Sequence, residues 1–84
     1  MTKEEFLKRF KEEKLYIGPY IMVFDQITDE SLVLGCVYDQ GKWKIFETRE
    51  RGGHFIIQEF KTEEEAFDVF YKLVKFHHKI YAKE

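Results

Sequence analysis

Thiol, hydroxymethyl and imidazole groups are scarce in this 84-residue chain: a single cysteine, Cys36, a single serine, Ser31, and three histidines. One cysteine excludes an internal disulfide. It also lies inside the apolar run Leu32–Tyr38, where a thiol is held protonated and unreactive. Ser31 sits among Asp29, Glu30 and Thr28, the composition of a turn rather than of a nucleophile. Adjacent His77 and His78 project about 100° apart on a helix and do not converge as a pair four residues apart would. His77 falls at the centre of an apolar stripe, the place of a core residue. No metal and no cofactor are expected, and the chain does not read as an enzyme.

Long apolar runs are missing too. None approaches the ~20 residues that cross a bilayer, and the opening MTKEEFLKRF is too charged for a secretory signal. A cytoplasmic location without membrane contact is expected. The net charge of −2 argues against a protein built to grip nucleic-acid phosphates. No linker, internal repeat or low-complexity segment divides the chain, so residues 1–84 read as a single domain.

What the chain does have is hydrophobic mass: 44% of residues are hydrophobic and 18% aromatic, enough for a dense core in a short chain. Thr2-Lys3-Glu4-Glu5 has the form of a capping box, followed by Phe6, Leu7 and Phe10 on one stripe of a short helix ending near Lys14. Gly18-Pro19 stops it. Four strand-like segments follow, at 20–25, 32–38, 43–49 and 54–60. Asp39-Gln40-Gly41-Lys42 reads as a tight hairpin, with Gly41 available for positive φ. A second capping box, Thr62-Glu63-Glu64-Glu65, opens a long helix. Its apolar stripe runs from Ala66 to Tyr81. Acidic residues precede Lys72, Lys75, Lys79 and Lys83 along it, an order that suits the helix dipole.

The order α-β-β-β-β-α with short connections predicts an α+β fold. Its sheet would be a four-stranded antiparallel meander, with both helices on one face. Strand two is apolar on both sides: Leu32, Leu34, Cys36 and Tyr38 alternate with Val33 and Val37. Either it is covered twice, or its second face is an interaction surface, or a bulge near Gly35 redirects one side chain.

Other chemistry-bearing patterns have plainer readings. Glu63, Glu64 and Glu65 are explained by capping and dipole. Gly52-Gly53 lacks the spacing and the following Lys-Ser/Thr of a phosphate loop. The element order invites comparison with a double-stranded-RNA module, but an acidic second-helix start would repel RNA.

Two stretches, GKWKIFETRERGG (Gly41–Gly53) and EFKTEEEAFDVFYKL (Glu59–Leu73), resemble small immunity proteins of bacterial polymorphic toxin systems, most nearly the immunity protein 59 family. The shared pattern is a Trp-led strand, an aromatic-Glu-Thr pair, Glu-Arg-Gly in the next turn and an EEEAF helix start. It spans about 33 of the 84 residues. The resemblance implies a non-enzymatic protein that neutralises a cognate toxin, often a nuclease, by direct binding in the cytoplasm. It makes Trp43, Glu47, Arg49, Glu50 and Arg51 candidate contacts. Trp and Arg are favoured at interface hot spots, and charged residues beside glycine at a hairpin tip suit a partner surface. Asp29, Glu30, Glu63 and Glu64, with Asp25 and Glu65, form a secondary acidic set able to mimic phosphate charge towards a basic nuclease cleft. Two alternatives stay open: a small-molecule or sensory domain with a pocket lined by Trp43 and His77, and a homodimer formed through an apolar sheet face or an edge strand.

Overall fold

The computed structural model describes residues 1–82; Lys83, grouped above with the basic residues late in the last helix, lies outside them. The fold is α+β, in the order α1 (Lys3–Glu12), β1 (Ile21–Val23), β2 (Val33–Asp39), β3 (Lys42–Thr48), β4 (His54–Phe60) and α2 (Glu63–Tyr81).

Both helix starts are capped as their sequences predict, with one difference. At α1 the capping box is complete: the Glu5 N–H donates to Thr2 Oγ1 and the Thr2 N–H to Glu5 Oε1. At α2 only half of it forms. Thr62 Oγ1 accepts from the Glu65 N–H and donates to the Glu65 carboxylate. Glu63 is used elsewhere, accepting from the Lys3 N–H at 2.9 Å and so capping the neighbouring helix.

The sheet order is β1-β2-β3-β4. The hairpin between β2 and β3 turns on Gln40 and Gly41, both at positive φ, the backbone that a two-residue connection between right-twisted strands requires. β3 and β4 are also antiparallel. The first pair departs from the expected meander: β1 runs parallel to β2, with Ile21 opposite Val33 and Val23 opposite Gly35. β1 ends at Val23 because Phe24 turns into the helix-side core, between Phe6, Phe67 and Phe70. Residues 24–32 then form the return path that a parallel pair needs, and Ile27 on that path packs on the opposite face of the sheet.

That path settles how β2 is covered. β2 pairs without interruption from Leu34 to Asp39, so no bulge occurs at Gly35. On one face Leu34, Cys36 and Ile45 meet Phe6 of α1 and Ala66, Phe67, Phe70 and Val74 of α2. On the other, Val33 and Val37 are sealed by Phe46, Ile27 and Val23. The register irregularity lies instead between β3 and β4: Ile45 faces Gln58 and Phe46 faces Ile56, which leaves Ile57 as an extra residue in β4.

Beside the sheet the helices are clasped at their far ends. The Tyr71 hydroxyl reaches both Glu13 oxygens at 2.7 and 2.8 Å, and the Tyr16 N–H donates to His78 Nδ1 at 2.9 Å. These contacts define the α1 flank of α2.

Candidate functional site

Folding separates the five contact candidates into three settings. Trp43 opens β3 half-buried, packed edge-on against Phe67 of α2 and tilted against Tyr38 across the hairpin. It is a wall of the core. Glu47 lies on the same face of β3, half-buried, and accepts from the Tyr20 hydroxyl at 3.4 Å. Burial, and then the Glu47 charge, push the Tyr20 phenol up from its ordinary pKa. Arg49, Glu50 and Arg51 are exposed at the other end of the strand, about 20 Å from Trp43 at 3.3 Å per residue. Arg49 does not pair with Glu47; its guanidinium lies 4.9 Å from the centre of the Phe55 ring.

The acidic set divides in the same way. Glu63 and Glu64 stand at the α2 start, on the Trp43 side of the molecule. Asp29 and Glu30 belong to the β1–β2 connection, which docks against the β3–β4 turn. Here the structure brings Asp29 against Gly52, Gly53 and His54, a juxtaposition that sequence spacing does not reveal.

Backbone and side-chain bonds build this docking. Gly53 N–H donates to the Asp29 carbonyl at 3.0 Å, and Leu32 N–H to the Arg49 carbonyl at 3.4 Å. The Ser31 hydroxyl donates to the Glu50 carbonyl at 2.9 Å. The Asp29 carboxylate accepts from the His54 N–H at 2.9 Å and meets His54 Nδ1 at 2.6 Å. These hydrogen bonds hold the Asp29 carboxyl below the ordinary aspartate pKa. Gly52 and Gly53, at φ of 80° and 76°, supply left-handed backbone that closes the turn. A Cβ on Gly52 would lie 2.9 Å from the Asp29 carbonyl oxygen, so glycine also permits the close approach. Glu50, Arg51 and Glu30 therefore project from a double loop fixed on both sides, their charges free at its tip.

The remaining candidates take structural places. Cys36 is fully buried, and burial pushes its thiol up to about 12, far from the thiolate a nucleophile needs. His77 is buried on α2, its Nδ1 3.0 Å from the Leu73 carbonyl and its ring between Tyr20 and Tyr81. Trp43 packs at Phe67 and His77 ten residues later, about 15 Å along α2, so they do not line one pocket. Among the described residues no three His, Cys, Asp or Glu side chains converge as a metal site. No helix among them is long and apolar enough to cross a membrane.

A meander already puts its fourth strand at an edge; what the sequence does not show is how open that edge stays. β4 is exposed from His54 to Glu59, and Phe55, Ile56 and Ile57 present their side chains at 38–42% exposure there. Comparison with protein-family models, curated proteins and solved structures finds no match.

Proposed function

We propose that this chain is a non-enzymatic binding protein that neutralises a bacterial toxin by direct contact, with the latched double loop as its working tip. The observation that carries the reading is the pre-fixed cluster of Arg49, Glu50 and Arg51 beside Asp29 and Glu30. Five hydrogen bonds from the two loops hold its backbone, while the charged ends of Glu50, Arg51 and Glu30 stay exposed. A surface already ordered before contact loses little conformational freedom on binding, and fixed charges of both signs favour one docking orientation.

Trp43 leaves the contact set under this proposal, because its ring is engaged with Phe67, and Glu47 supports Tyr20. At the α2 start Glu63 and Glu65 serve capping, and the Glu64 side chain is exposed. Asp29 and Glu30 are the carboxylates placed to meet a basic cleft such as that of a nuclease.

Co-expression with the toxin encoded beside this gene provides the test. Restored growth and a complex that survives size exclusion are expected. Absence of both would remove the proposal.

A further inference from the structure

We propose that His78 is an acid-sensitive catch: with its ring neutral it ties the α1–β1 connection to α2, and with its ring protonated it lets go. The fold sets the three histidines against different partners, and only at His78 does a ring nitrogen face a donor across the chain. His78 Nδ1 accepts from the backbone N–H of Tyr16 at 2.9 Å. A backbone N–H donates at every pH, so this nitrogen must carry a lone pair and the ring must hold its single proton on Nε2. A second proton can only go to Nδ1. Two N–H groups then point at each other, and the bond is lost.

The other two histidines answer acid differently. His54 Nδ1 lies 2.6 Å from the Asp29 carboxylate, which accepts from the ring in either charge state. His77 Nδ1 lies 3.0 Å from the Leu73 carbonyl, again an acceptor, so its second proton goes to Nε2 and leaves this bond in place. The tip and the buried face of α2 therefore keep their histidine bonds as the pH falls. The Tyr16 contact does not.

Neighbouring groups confine what the catch releases. On α2, Lys75, Lys79 and Tyr81 lie within a turn of His78, and none of the three brings a carboxylate to hold a protonated ring. From α1 and the connection come Arg9, Glu13, Lys14 and the Tyr16 phenol. Arg9 lies over the Tyr71 ring, and the Glu13 carboxylate is taken by the Tyr71 hydroxyl and the Lys75 ammonium. The Tyr71 hydrogen bond holds the Glu13 carboxyl below the ordinary glutamate value. That second clasp thus stays closed where an imidazole takes up its proton, roughly pH 5 to 8. Beyond it, left-handed backbone at Lys14 and Gly18 brackets the segment that His78 holds. Within the segment Leu15 and Ile17 are buried in the core, while Tyr16 between them is 53% exposed. Release frees the Tyr16 backbone and leaves its two neighbours in place.

An NMR titration of the isolated protein from pH 8 to pH 5 tests this. It needs no partner, so its result and that of the toxin-binding proposal are independent. At pH 8 the His78 ring should carry its proton on Nε2. The Tyr16 amide signal should then move along the titration curve of that ring. Its hydrogen-exchange protection, corrected for the intrinsic effect of pH, should fall about tenfold, as expected for one hydrogen bond lost. These measurements use the parent chain alone. Two variants add a fixed state at each end. His78→Asn places a carbonyl oxygen that does not titrate near the position of Nδ1, and should keep the Tyr16 amide protected throughout. His78→Phe offers no acceptor and should leave it unprotected even at pH 8. A ring proton found on Nδ1 at pH 8 would overturn the proposal, and so would a ring still neutral at pH 5. A Tyr16 amide that stays protected beside a protonated His78, or that titrates equally in His78→Asn, would overturn it as well.

Discussion

The ring of Phe46 rests against the α-carbon of Gly35 on the next strand, so closely that a Cβ at position 35 would lie 2.0 Å from its Cε1. Phe46 is itself fully buried among Val33 and Val37 and has nowhere to retreat. Gly35→Ala is therefore expected to destabilise the fold by about 2 kcal/mol, within the range for overpacked cores. Chemical denaturation measures it, and Phe46→Leu in the same background should recover part of the loss. An unchanged midpoint for Gly35→Ala would show that the ring moves freely.

Thr48 is the counterpart on the hydrogen-bond side. It is completely buried at the end of β3, and its hydroxyl accepts from the Val33 N–H at 2.7 Å. Thr48→Val preserves the shape and strands that donor. A loss of about 1–3 kcal/mol is expected from leaving a buried N–H unpaired. A stability equal to that of the parent chain would mean that Val33 finds another acceptor.

The Asp29–His54 contact predicts how the tip responds to acid. Asp29 titrates lower in the folded chain than when unfolded. Its contribution is thus fully present above the unfolded aspartate value, about 3.9, and is lost as pH falls through the lower folded value. The Asp29 carboxyl carbon signal should titrate below the ordinary aspartate value, and the Gly53 amide signal should follow it. Asp29→Ala should shift the Gly53 amide at neutral pH. An Asp29 carboxyl that titrates at or above about 3.9 would contradict the assignment.

Two substitutions separate support from contact. Trp43→Ala removes a half-buried ring from the wall beside Phe67 and should cost about 2 kcal/mol of stability, less than a fully buried Trp. Arg51→Ala touches only the exposed tip, so its stability should change by no more than about 0.5 kcal/mol. Toxin neutralisation should nonetheless weaken. Unfolding of the Arg51 variant would make the turn structural and refute its role as a contact.

Cys36 gives a readout of the core. With its thiol pushed up to about 12 by burial, iodoacetamide at pH 8 should leave the folded chain unmodified and label it once denaturant unfolds it. Rapid labelling of the native chain would indicate that β2 is open to solvent.

Much of this architecture was legible residue by residue. Thr2 and Thr62 announce the helices, Gln40-Gly41 the hairpin, and the spacing of Phe67, Phe70, Val74 and His77 the buried face of α2. The direction of β1 was not. Taking Tyr20–Asp25 as one strand leaves only a short turn before the next, and short turns imply antiparallel neighbours. In the fold Phe24 is drawn into the helix-side core and Ile27 into the opposite one, which lengthens the connection enough to reverse the strand. Local pattern cannot reveal a side chain claimed by two distant helices. The tip was half legible for the same reason: Arg49–Arg51 stood out as a charged turn, while its latch comes from Asp29 and Ser31, some twenty residues earlier.

Having both faces of β2 covered has a consequence for motion. From Val33 to Val37 every residue of that strand is buried, paired with β3 from Leu34 onward and with β1 as far as Gly35. β4 is exposed from His54 to Glu59 and bonded on one side only. Amide hydrogen exchange should accordingly be slowest in β2 and quicken outward through β3 to β4, since opening free energies follow local burial. The outer strand can then loosen and re-form while the inner sheet stays shut, so a surface at that edge can adapt to what it meets without unfolding the rest.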